Sequence, residues 1–147
     1  IYTYAHKCEF FIKVSGGIIF VANFHIITNN PMVAEKYPDL GILSEKTVEE
    51  IFITARDVIH LGAILINHPL SGSVKPNESP YKSLLLSNNK GRVDFKSLQL
   101  IEGALEVLHK LPEKKRQYNQ RVLDDFMVID LDLLDSAMSS LPTEYHR

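Results

Sequence analysis

A chain of 147 residues with an apolar share of 45% and a charged share of 23% has the make-up of one ordinary globular domain, with no disordered or fibrous bias. A net charge of −2 and a pI near 6.3 argue against nucleic acid, which needs a broad positive field. The lone Cys8 leaves no internal disulfide and points to a reducing, cytoplasmic compartment. The most hydrophobic stretch, residues 10–24, is broken by Lys13, Ser15, Gly16, Gly17 and Asn23, short of the roughly 20 apolar residues of a membrane span.

Residues 1–20 read in two ways. They are either an extension foreign to the native protein, whose start then falls near Val21 or Ala22, or an extra hairpin of residues 9–14 and 18–23 turning at Ser15-Gly16-Gly17. Residues 24–28, FHIIT, are β-favouring without a polar alternation, as in a strand buried on both faces. Asn30 before Pro31 is an N-cap followed by a proline at the first helical position, so a short helix is expected over 31–37. Residues 41–44 read as a second strand.

Thr47 and Glu50 form a capping box, and Val48, Ile51, Phe52, Ala55, Val58 and Ile59 repeat at helical spacing behind it. Gly62 ends that helix, and residues 63–67, AILIN, resume as an apolar strand. A further strand is expected over 82–86. Asp94 then caps a helix over 95–111, with Phe95, Leu98, Ile101, Leu105 and Leu108 on one face. Residues 112–116 are a basic connector. Residues 122–126 read as a helical turn and 127–129 as a short strand, after which Asp130 caps a last helix to about residue 141. Leu133, Leu134, Ala137, Met138 and Leu141 make its apolar stripe, read as core with a dimer contact as the alternative. Residues 142–147 are a tail.

Alternating helices and strands imply an α/β fold, a single three-layer-like domain over 21–141 with a small mostly parallel sheet flanked by helices. In such sheets ligands bind outside the carboxyl ends of the strands. Two segments are expected there. The first is the turn of Thr28, Asn29 and Asn30, where a helix N-terminus opens. The second is the loop 68–82 with Asn67 before it, which crowds three prolines among Ser71, Gly72, Ser73, Lys75, Asn77, Tyr81 and Lys82. Fixed φ at Pro69, Pro76 and Pro80 lowers the entropy lost on ordering and favours a defined surface. Hydroxyls, amides and lysines of this kind suit a small anion, although the spacing is not that of a phosphate loop.

His68, at a strand's carboxyl end, is the candidate acid or base for an enzyme acting on a small anionic metabolite, with Ser71 or Ser73 as nucleophile and no acidic partner evident. His6, His25, His60, His109 and His146 lack metal-ligand spacing, so neither a metal nor a cofactor is expected. Asp124, Asp125, Asp130, Asp132 and Asp135 lack the glycine and terminal glutamate of a calcium loop and read as caps and solvated charges.

The segments ITNNPMVAEKY (residues 27–37) and HPLSGSVKPNESPYKSLLLS (residues 68–87) together resemble the GrdX family, small proteins that accompany the glycine, sarcosine and betaine reductase systems of anaerobic bacteria. FMVIDLDLLDSAMSS (residues 126–140) is similar to that family's ending, and residues 1–20 fall outside the likeness. The resemblance implies an accessory role in amino-acid fermentation, with reductase components as expected partners. It carries over no catalytic residue.

Overall fold

In the computed structural model residues 10–13, 19–43, 46–72, 75–112 and 117–142 are described. Strands β1 (Phe10–Lys13) and β2 (Ile19–Ala22) pair antiparallel, as a hairpin over this stretch would; its turn lies outside the described residues. Then follow β3 (Phe24–Thr28), α1 (Pro31–Lys36), β4 (Gly41–Leu43), α2 (Val48–His60), β5 (Ser83–Ser87), α3 (Phe95–Lys110) and α4 (Gln120–Ser139). Ser44, the expected end of β4, and the connector residues 113–116 lie outside the described residues, as do residues 143–147 of the tail.

The caps form where the side chains allow. Asn30 Oδ1 accepts from Met32 N at 3.0 Å, Thr47 and Glu50 close the capping box, and Asp94 accepts from Ser97 N at 2.9 Å. Gly62, at φ +112°, ends the turn after α2 against Gly91, whose N–H donates to Leu61 O at 2.8 Å. A Cβ on Gly62 would stand 2.4 Å from Gly91 N, so the left-handed turn and the close backbone approach both require glycine.

The sheet corrects the expected topology. β3 pairs parallel with β4 but antiparallel with β5, so the three-stranded order β4-β3-β5 is mixed and not mostly parallel. Residues 63–67 run along the far side of β5, also antiparallel to it, through the Leu65–Leu86 bridge. The reason lies in the loop 68–82, whose described residues form no helix. A parallel pairing needs a crossover, usually a helix, whereas a loop alone returns the chain beside the strand it left, in the opposite sense. Residues 63–67 are an irregular edge whose N–H groups are met by mixed partners. Ile64 N donates to Ser87 Oγ, Leu65 N to Ser97 Oγ and Ile66 N to Leu85 O, each at 2.8 Å.

Period-two alternation sorts the core into two clusters. Ile27, Leu84 and Leu86 face α2 and α3, among Ile51, Phe52, Ile59, Ile101 and Leu105. Phe24, Ile26 and Leu85 face the other way, toward Val33 of α1, Leu134 of α4 and Leu141. Burial on both faces explains why β3 and β5 read as unbroken apolar runs. Phe95 departs from the expected α3 face and stands 80% exposed.

The largest correction concerns α4. Residues 120–139 form one continuous helix capped by Asn119, not a turn, a strand and a shorter helix capped by Asp130. The β-branched pair Val128 and Ile129 suggests a strand, but both are exposed, while Leu123, Met127, Leu131 and Leu134 keep helical spacing and Asp130 sits buried among them.

His25 on β3 carries a pH dependence. Burial pushes its imidazole below its ordinary value of 6.5, opposed in part by the 2.8 Å hydrogen bond to Asn88 Oδ1. The unfolded chain therefore takes up this proton before the folded one. The stability involved is complete above about pH 6.5 and is lost as pH falls through the lower folded value. Urea midpoints compared at about pH 8 and about pH 5 should drop less for His25→Gln than for the parent chain; equal drops would rule out His25 as the source.

Candidate functional site

The carboxyl end of β3, the carboxyl end of residues 63–67 and the amino end of β5 meet at one edge of the sheet, because β5 runs opposite to the other two. Thr28 and Ser83 are register partners there, and their hydroxyls lie 2.6 Å apart. From above this edge α4 lowers Asp130. Its Oδ1 accepts from Ser83 N at 3.0 Å, and its Oδ2 accepts from Ser83 Oγ at 2.7 Å and Asn30 Nδ2 at 2.9 Å. Three donors satisfy a carboxylate that is only 6% exposed, as a buried charge requires. Asn30 also donates to Met127 O at 2.9 Å, so one side chain caps α1 and grips α4.

Asn29 clamps the strand entry in the same way. Its Oδ1 accepts from Lys82 N at 2.7 Å, and its Nδ2 donates to Pro80 O at 2.7 Å and Lys46 O at 2.8 Å. Asn67 extends the ladder with its side chain, taking Leu85 N at 2.8 Å and giving to Ser83 O at 3.2 Å. Thr28, Asn29, Asn30 and Asn67 are thus occupied by structural hydrogen bonds. They build the floor of the edge.

The loop 68–82 folds over this floor toward α4. Glu78 N closes a turn on Lys75 O, Tyr118 OH donates to Glu78 O at 3.0 Å, and Asn77 Nδ2 donates to Pro112 O at 2.9 Å. Between loop, α2 and α4 lies a cleft of about 40 Å³. Ser71, Lys75, Tyr81 and Lys82 line it from the loop, with Pro69, Leu70, Pro76 and Ser79. Val48 and Phe52 line it from α2, and Phe126, Ile129, Asp130 and Leu133 from α4. Lys82 is the half-buried cation. Burial holds its amine below the usual lysine range, and the Asp130 carboxylate pulls it partly back. Its Nζ donates to Ser71 O at a long 3.4 Å, and among the described residues no carboxylate reaches ion-pair distance.

Four of the residues expected at the site therefore share one cleft: Ser71, Lys75, Tyr81 and Lys82. His68 stands apart, exposed, with Nδ1 accepting from Leu70 N at 3.1 Å as a turn-forming group. Gly72, at φ +107°, is exposed, and a Cβ there would stand 2.9 Å from Leu133 Cδ1; Ser73 lies outside the described residues. The signal for Asp130, missed as a site residue, was a charge where the helical stripe of α4 should continue apolar. Among the described residues no group of three or more His, Cys, Asp or Glu side chains could hold a metal ion, and no helix is long and apolar enough to cross a membrane.

Fold and site together define a small mixed α/β protein with a cation-bearing cleft roofed by a proline-stiffened loop. The chain belongs to the GrdX family, whose model, described as GrdX-like protein, matches residues 25–139. The match includes all of β3 but Phe24, the three floor asparagines Asn29, Asn30 and Asn67, the whole loop and Asp130. No curated protein and no solved structure matches the chain.

Removing the Asp130 carboxylate strands three donors at a buried edge. Asp130→Ala should lower the unfolding free energy by about 3 kcal/mol or more, measured by urea denaturation. A loss below about 1 kcal/mol would mean that water replaces the carboxylate and that the edge does not depend on it.

Proposed function

We propose that this GrdX-like protein is an accessory protein of the glycine, sarcosine and betaine reductase pathway, and that it binds a small anionic ligand in the cleft under the loop 68–82. The observation that carries the ligand reading is Lys82. A cation held in a partly apolar cleft, with one long hydrogen bond and no ion pair among the described residues, gains more from an arriving anion than a solvated lysine would. Lys75, exposed on the same rim, adds a second positive charge, and the hydroxyl-bearing Ser71 and Tyr81 offer orienting hydrogen bonds. Pathway and partners rest on the family resemblance alone. A partner protein docking on the same loop is the competing use of this surface.

Acid–base chemistry by His68 has less support. The side chain is exposed, is not part of the cleft lining and has one ring nitrogen engaged with its own turn. Nothing in the cleft supplies it with an acidic partner.

Thermal-shift measurements with phosphate, acetate and pyruvate test the ligand reading. An anion at about a hundred times its dissociation constant should stabilise the folded chain by about 2.7 kcal/mol, an effect lost in Lys82→Gln and weakened in Lys75→Ala. Equal stabilisation of parent and variants, or none by any anion, would remove the reading. For the pathway, affinity capture from a glycine-fermenting anaerobe should recover reductase components with the tagged chain. Repeated captures without them would sink the accessory role.

A further inference from the structure

Two lysines and an apolar wall share the cleft: Lys82 and Lys75 stand with Phe52, Leu70, Phe126 and Leu133. We infer that Lys82 forms a reversible imine with a small 2-oxo acid, whose carboxylate is met by Lys75. The inference rests on the anion-binding reading above and narrows it to a carbonyl compound.

Size comes first. A cavity of about 40 Å³ compares with the roughly 10–15 Å³ that one enclosed water needs on the same measure, so the space suits a molecule of a few heavy atoms. Reactivity follows from the setting. An amine in a partly apolar cleft, not locked in an ion pair, is the form in which lysine acts as a nucleophile toward carbonyls. Burial lowers its affinity for the proton and so raises the share of neutral amine. Position is fixed by Asn29, which holds the Lys82 N–H at 2.7 Å and keeps the residue at the mouth of β5.

The step balances without oxidant or reductant. The neutral Lys82 nitrogen adds to the carbonyl carbon, the C–N bond forms, and the carbonyl π pair moves to oxygen, which takes a proton. The carbinolamine then releases that oxygen with a second proton as water, while the nitrogen gives up its two protons and its electron pair closes the C=N bond. Amine and oxo acid become imine and water. Addition of water reverses it.

The full chain incubated with pyruvate and sodium cyanoborohydride, then digested and mapped by mass spectrometry, tests this. Carboxyethyl-lysine is expected at Lys82 in several-fold excess over any other lysine, because burial favours its neutral amine. Lys82→Arg, which keeps the cation, should lose that adduct and keep its thermal stabilisation by acetate. An adduct spread evenly over exposed lysines overturns the inference, and the wild-type map decides this even where the variant does not fold. Stabilisation by pyruvate without a trapped adduct overturns it too and leaves the anion-binding reading standing, whereas neither stabilisation nor adduct removes both.

Discussion

The Asp130 carboxylate accepts hydrogen bonds from the Ser83 amide, the Ser83 hydroxyl and the Asn30 side chain, and this one buried charge ties α4 to the sheet edge on which the cleft is built. An ionised group away from water is tolerated only when its lone pairs are met, and the donors come from residues 47 and 100 positions away in the chain. α1, through its cap Asn30, and β5, through its first residue, are thereby joined to α4. The lining that α4 contributes, Phe126, Ile129 and Leu133, lies within a helical turn of Asp130. Rotating the helix to expose Asp130 would take those side chains out of the cleft.

Strand direction has an equally direct consequence. Because β5 runs against its neighbours, the loop 68–82 begins and ends at the same edge, where β3 also ends. A parallel β5 would have started at the opposite edge and carried Lys82 away from Thr28, Asn29 and Asn30. The loop and the carboxyl end of β3 thus share an edge for a reason other than the expected one. The loop returns to that edge and does not leave it by a crossover.

What was legible from the residues was whatever local chemistry decides. The caps at Asn30, Thr47 and Asp94, the helical spacing of α2 and the two-faced burial of β3 all follow from side chains within a few positions. Strand sense is not local: LLL in β5 has the same composition whichever way it runs. α4 was obscured by the anchor it carries, since a carboxylate at a buried helical position breaks the apolar period that identifies a helix. The site divides along the same line. Ser71, Lys75, Tyr81 and Lys82 were visible because one polar, proline-rich loop contains them, while Asp130 and the apolar wall reach the cleft only through tertiary packing.

The Asn29 clamp explains why Lys82 does not simply withdraw to water. A lysine on a free loop buries its stem and leaves its ammonium solvated. Here the Lys82 N–H is fixed to Asn29 Oδ1, its carbonyl accepts from Asn29 N at 3.4 Å, and the preceding Pro80 carbonyl is held by Asn29 Nδ2. The next residue, Ser83, is anchored to Asp130 on both its backbone and its hydroxyl. With the main chain held on both sides, the direction of the Lys82 side chain is set by the sheet, and its partial desolvation is a property of the framework. Asp130 stands near enough to temper the resulting depression of the amine without neutralising it by direct contact. The same few hydrogen bonds that close the fold at this edge therefore also keep one amine partly desolvated, with one long hydrogen bond to Ser71 O and no carboxylate at ion-pair distance among the described residues.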